Sequence, residues 1–283
     1  MNTKEEIKAF TPTKDFFIGI DSDGSVFDAM NIKHKKSMCP AVMEIWGMGE
    51  HKKKFEEIWY KYNLYSGYRG TNRFISLLMS FIEIQKIDSE LPVKDINPLR
   101  EFVNNNEILS EDTLKAWMLK NPSAFLDDVI RWSNRSDELF NEYTKGLLPF
   151  VNAEHAIKIM AEKADIMVVS SATGKGLDKD WSFSGLTKYT GLIAGQEAGS
   201  KKMQLKMATE KKYSSHKILM IGDAPGDLES ARFVDASFFP IMPGSEEESW
   251  LLLIEEALPR FFEGKYIGEY ENLQVGKFLD FLA

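Results

Sequence analysis

Three short apolar runs punctuate the chain, at residues 16–20, 166–169 and 218–221, each bounded by polar or turn-forming residues and none alternating in polarity. Continuous apolarity over so few residues is the pattern of a strand buried on both faces of a parallel sheet. Residues 238–242 predict one more such strand. Between the runs the period changes. Phe74, Leu77, Leu78, Phe81 and Ile82 fall at i, i+3, i+4, i+7 and i+8, one face of an amphipathic helix. Asn121-Pro122 predicts the cap and first position of a helix carrying Phe125, Leu126, Val129 and Ile130. Further helices are expected over 153–163, 201–212, 225–234 and 246–262, and no strand pattern occurs between Asp28 and Phe150. The order is a strand, a long helical insert, then helices and strands in alternation. That order predicts an α/β fold, a Rossmann-like parallel-sheet core made of residues 1–28 and 151–283, with an inserted all-helical domain over 29–150.

The strand ends sharpen this picture. The first run leads into Asp21, the second into Ser170 and Ser171, and the third into Gly222 and Asp223. An open α/β sheet binds its ligands beyond the carboxyl ends of its strands, so these three endings are expected to converge on one site.

Composition changes the picture only by exclusion. With 283 residues, 35 Lys+Arg against 43 Asp+Glu and a net charge of −8, the chain has room for one or two domains and lacks the basic excess of a backbone-driven nucleic-acid binder. No apolar stretch reaches the roughly 20 residues of a membrane span. The charged start, Met-Asn-Thr-Lys-Glu-Glu, has no apolar leader segment, and the lone Cys39 can form no intramolecular disulfide. A cytoplasmic protein with neither nucleic-acid nor membrane partners is expected; its oligomeric state is left open.

Two acidic turns carry the candidate chemistry. In Asp21-Ser22-Asp23-Gly24-Ser25-Val26, carboxylates two positions apart at a strand end can face one cavity, and Gly24 permits the turn between strand and ligand. Such a pair suits a hard cation, or a nucleophile with a proton donor beside it. A calcium loop is excluded, because Val26 and Phe27 stand where further ligands would be needed. In Gly222-Asp223-Ala224-Pro225-Gly226-Asp227 a second buried strand ends the same way. Four carboxylates gathered at strand ends repel one another unless a divalent cation lies among them, which predicts Mg²⁺ held with a substrate phosphate.

These residues, taken in order, resemble the four motifs of the haloacid dehalogenase-like (HAD) superfamily of phosphotransferases. Asp21-Ser22-Asp23-Gly24-Ser25-Val26 is similar to the first motif, Ser170 to the second, a lysine at 201 or 202 to the third, and Gly222-Asp223 with Asp227 to the fourth. The resemblance implies that Asp21 attacks phosphorus to form an aspartyl phosphate and that Asp23 is the general acid and base. It implies Mg²⁺ bound by Asp21, the Asp23 carbonyl and Asp223, with Asp227 a ligand directly or through water. Ser170, Ser171 and Lys201 would hold the remaining phosphate oxygens; Lys201 is preferred to Lys202 because Leu205 and Ala208 then follow at helical spacing. An aspartate at position 23 points to phosphate-ester chemistry, since haloacid dehalogenases lack that second acid. The substrate is expected to be a small soluble phosphate monoester, a sugar phosphate or a phosphoglycolate-like acid. A phosphomutase using the same aspartyl phosphate is an alternative, and a non-catalytic phosphate-ligand binding protein is an alternative of another class.

In that superfamily a helical insertion after the first motif is a cap. Within the insert, residues 63–74 concentrate aromatic, amide and guanidinium groups around two glycines, and Arg69, Asn72 and Arg73 are the candidates for substrate selection. The basic runs at 33–36 and 51–54 read as solvated faces, and Trp117 and Trp132 as core.

Overall fold

The apolar runs form one five-stranded, all-parallel sheet in the computed structural model, which describes residues 1–88, 90–93 and 95–283. The strands are β1 (Phe16–Ile20), β2 (Ala164–Val169), β3 (Leu192–Ala194), β4 (Ile218–Gly222) and β5 (Ser237–Pro240), in the spatial order β3-β2-β1-β4-β5. Successive residues of each strand supply opposite faces. Ile18, Ile20, Ile166, Val168, Leu219 and Ile221 enter one core cluster, while Phe17, Met167, Val169, Ile218 and Met220 enter the other. That is why the runs show no polar alternation: both faces are covered.

Helices return the chain between strands. Ala153–Lys163 leads into β2, Gly174–Phe183 joins β2 to β3, Lys201–Thr209 joins β3 to β4, and Pro225–Phe233 joins β4 to β5. The strand order steps away from β1 in both directions, which makes the carboxyl end of β1 and β4 the topological switch point. Each edge strand is bonded by a residue from outside the sheet. Asn2 exchanges two hydrogen bonds with Ile193 on the β3 side, and the Glu271 carboxylate accepts the Phe238 N–H of β5 at 2.9 Å while paired to Arg232.

Differences from the expected elements have local causes. The three-residue β3 is flanked by Gly191 and Gly195 and is too short to register as an apolar run. The helix expected to begin at Asn121-Pro122 begins at Ala124 after Ser123, because the Asn121 amide instead closes the preceding helix by bonding Trp117 O at 3.1 Å. The segment expected as one helix over 246–262 carries a π-wound turn at Leu253–Ala257, and a terminal helix, Glu269–Leu282, follows it.

The chain divides into two compact units: Met1–Ala29 with Gly146–Ala283, which holds the sheet, and Met30–Lys145. The second is all-helical among its described residues, and its core is aromatic, built on Phe55, Trp59, Phe74, Phe81, Phe102 and Trp132. Among the described residues no helix is long and apolar enough to cross a membrane.

Candidate active site

Because β2, β1 and β4 are neighbours in one parallel sheet, the residues that follow them lie side by side. Asp21 extends β1 by donating its backbone N–H to Ile221 O at 2.9 Å. The next residues turn sharply: Gly24 has φ 88°, and its N–H returns to Phe27 O at 2.8 Å. Side-chain bonds from distant helices hold this loop. The Trp181 indole donates to Ser22 Oγ at 3.0 Å and stacks edge-on against Phe27, and the Trp250 indole donates to Ser25 O at 2.8 Å. Ser25 Oγ in turn donates to Asp223 Oδ1 at 2.8 Å, tying the two acidic turns together.

Three of the four predicted carboxylates meet. Asp21, Asp223 and Asp227 are buried and offer oxygens within 4.8 Å of one another. Asp227 reaches this cluster because the helix from Pro225 starts hard against the end of β4. A Cβ on Gly222 would lie 2.4 Å from the Asp227 side chain, so glycine alone admits that approach. The Asp227 carboxylate also accepts the Ala224 N–H at 3.1 Å, closing the first turn. The Asp23 side chain is partly exposed and stands outside the triad.

Of the two adjacent lysines, Lys201 enters the cluster. Its Nζ lies 2.7 Å from Asp21 Oδ1 and 2.6 Å from Asp227 Oδ1, whereas Lys202 pairs with Glu229 at 2.9 Å on the surface. Burial opposes the Lys201 charge, but Asp21 and Asp227 outweigh it and hold the ammonium firmly protonated. The carboxylates are under the opposite pressure. Burial pushes Asp21 well above the usual carboxylate range; Lys201 pulls it back, and Asp227 and Asp223 push it up again. Asp227 is raised by the same balance, burial first. One ammonium therefore does not neutralise three buried carboxylates, and the donor set is all oxygen, as a hard divalent cation requires. These residues fit Mg²⁺.

The other predicted residues fall as follows. Ser170, buried at the end of β2, accepts the Ala172 N–H at 3.1 Å, and Ser171 beside it is exposed. Their stretch runs into Thr173, which caps the Gly174–Phe183 helix, whose first N–H, that of Gly174, donates to the Glu197 carboxylate at 3.1 Å. In the helical unit, Asn72 caps the helix Arg73–Ile87 and bonds Leu109 O at 2.7 Å, while Arg73 bonds Ser133 Oγ at 3.0 Å and Asp137 at 2.8 Å. Those bonds all lie within the helical unit. Arg69 is buried and donates to Leu64 O at 3.0 Å. His34 is also buried there, and burial, then Lys33 and Arg69, hold its imidazole well below its usual range.

Trp181, Trp250 and Gln204 touch the site residues and carry no local signal, since their partners lie 159, 225 and 34 positions away. Asp180 is a further addition. Half-buried next to Trp181, its carboxyl is pushed up to about 6 by burial, with Lys179 opposing and Asp23 reinforcing the shift. A carboxyl raised in the folded state costs stability as pH climbs from about 4 to about 6. Asp180→Asn should remove that loss. Its melting temperature is expected to exceed the parent's above pH 6 and to show no gain below pH 4, as thermal melts across that range would show.

No protein-family model and no curated protein matches the chain. Among solved structures, it is similar to a HAD-superfamily hydrolase of subfamily IA, variant 1, from Geobacter sulfurreducens PCA, at 13% identity and a TM-score of 0.45 over 81% of this chain and 88% of that one. It is similar to a predicted phosphoglycolate phosphatase from Haemophilus somnus 129pt at 13% identity and a TM-score of 0.49, over 81% and 86% of the two chains. A Bacillus subtilis protein assigned as a HAD-hydrolase, YfnB, bound to magnesium, is similar at 13% identity and a TM-score of 0.46, over 80% and 86%.

Proposed function

We propose that the chain is a Mg²⁺-dependent phosphatase of the haloacid dehalogenase type, hydrolysing a small phosphate monoester through an aspartyl phosphate on Asp21. The observation that carries this reading is the meeting of Asp21 with Asp223 and Asp227, their oxygens within 4.8 Å, around the ammonium of Lys201.

The residues divide the work by their chemistry. Asp21 attacks phosphorus, the bond from phosphorus to the ester oxygen breaks, and the leaving alkoxide takes a proton from Asp23. Water then attacks the phosphorus of the acyl phosphate while Asp23 takes the proton back, and Asp21 is released with inorganic phosphate. Asp23 suits this exchange because its side chain is apart from the charged triad and reaches solvent. Lys201, Ser170 and the N–H groups near Ser171 hold phosphate oxygens, so that the charge spread over them in transfer meets fixed donors. Asp21, the Asp23 carbonyl, Asp223 and Asp227 would hold the metal. When bound, Mg²⁺ supplies positive charge that keeps the Asp21 carboxylate ionised and neutralises the phosphoryl group. The helical unit is assigned the role of cap, with Arg69, Asn72 and Arg73 its candidates for substrate choice.

A panel of phosphate esters tests the reading. Inorganic phosphate should be released in Mg²⁺ and release should stop in EDTA. Isomer formation without phosphate release would make the enzyme a mutase, and absence of any turnover over a broad panel would leave a ligand-binding protein.

A further inference from the structure

The end of β2 assigned to phosphate and the helix that begins at Lys201 are bridged by one fully buried side chain, Gln204. Gln204 is fully buried on the helix Lys201–Thr209, three positions after Lys201 and so on the same side of the helix. Its Oε1 accepts the Ser170 N–H at 3.1 Å, a donor that Ser170 shares with Ala194 O at 3.1 Å. Its Nε2 donates to Ser170 O at 2.9 Å, to Gly195 O at 2.9 Å and to Gly199 O at 2.8 Å. A primary amide has two N–H donors and a carbonyl, so every polar site on this side chain is used and one donor is shared.

The acceptors are backbone groups at strategic points. Ser170 closes β2, Gly195 follows β3, and Gly199 precedes Ser200, the cap of the helix that begins with Lys201. The Gly195 segment also runs tight against the Ser170–Gly174 stretch: a Cβ there would lie 2.7 Å from Ala172 O and 3.0 Å from Gly174 N. We propose that Gln204 is a positioning residue for phosphate binding, one that fixes Ser170 and its following N–H groups relative to Lys201. This rests on the phosphatase reading. Gln204 acts from behind the site, through the backbone of Ser170 and the loop leading to Lys201. A carboxylate of the same shape has no N–H for the three carbonyls, and a methionine of similar length has no donor and only a weakly accepting sulfur, so no close substitute preserves the arrangement.

The test compares Gln204→Glu and Gln204→Met with Thr209→Val, which loses a buried hydroxyl bond to Leu205 O on the same helix. Affinity for inorganic phosphate is measured by calorimetry in Mg²⁺, and kcat and KM are measured on an ester found active in the panel. All measurements are made at a temperature where circular dichroism shows every variant folded. Both Gln204 variants should bind phosphate about tenfold or more weakly and lose at least about tenfold in kcat, while Thr209→Val stays within about twofold on both. The activity of Gln204→Glu, taken as a ratio to the parent at each pH, should recover as acid protonates the carboxyl and restores one donor. A role in stability alone predicts lower melting temperatures for all three with affinity and kcat unchanged, and that result overturns the proposal. A parent that binds phosphate without turning over any ester ends the phosphatase reading, yet the calorimetric arm still decides on Gln204. A parent that neither binds phosphate nor turns over an ester overturns both.

Discussion

Asp21→Asn should abolish turnover of phosphate esters, lowering kcat by on the order of 10⁴-fold or more, because the amide retains the shape of the side chain and loses the nucleophile. The fold should survive the change. Lys201 loses one anionic partner but keeps Asp227 at 2.6 Å, and the buried triad loses a carboxyl whose ionised form burial, Asp227 and Asp223 all oppose. In EDTA the melting temperature of the variant should therefore equal or exceed that of the parent. Added Mg²⁺ should raise it less, since one carboxylate is gone from the set. Steady-state kinetics and thermal melts with and without the metal are the measurements. Turnover within tenfold of the parent by a folded Asp21→Asn protein would end the assignment of Asp21 as nucleophile.

Asp21 is legible in the sequence because its environment is written locally. A parallel strand covered on both faces must be apolar throughout, so the first polar residue after it marks the sheet's ligand-binding edge, and β1, β2 and β4 all announce Asp21, Ser170 and Asp223 in this way. β3 escapes because Leu192–Ala194 is too short to form a run, and its pairing with β2 depends on a partner more than twenty positions away. The carboxylates show the same division. Asp223 and Asp227 are close in sequence, and Gly222 between strand and helix hints at the tight approach they need. That Asp23 stands apart from the triad depends on how the turn at Gly24 points its neighbours, which spacing does not specify. The helical spacing of Leu205 and Ala208 favours Lys201 over Lys202, and the 2.7 Å and 2.6 Å contacts of Lys201 place its ammonium among the carboxylates. Gln204, Trp181 and Trp250 carry no such signal: a tryptophan in a helix reads as core and a glutamine as surface, and the hydrogen-bond partner of each is chosen by tertiary packing.

Lys201→Met is expected to be the most destabilising single change at the site. It leaves Asp21, Asp223 and Asp227 buried with no side-chain cation among them, and removing one partner of a buried ion pair typically costs about 3–5 kcal/mol. Two conditions should restore the loss, and they separate this cause from mere loss of packing. Acid is the first. Burial already raises the Asp21 and Asp227 carboxyls above their usual range, and without Lys201 they rise further, so stability falls as pH climbs through those values and returns as pH is lowered. Mg²⁺ is the second: a ligand held only by the folded chain contributes about 2.7 kcal/mol at one hundred times its dissociation constant. The melting temperature of Lys201→Met should thus be far below the parent's in EDTA at pH 8, approach it at pH 5, and show a larger gain from Mg²⁺ than the parent does. Stability restored by the metal should not restore full activity, since the ammonium proposed to meet the transferring phosphoryl group is still missing, and kcat should stay lower by about 10²–10³-fold. A Lys201→Met protein that melts with the parent in EDTA at pH 8 would mean that the three carboxylates do not carry the charge their burial and spacing imply, and the metal site would have to be reconsidered along with the lysine.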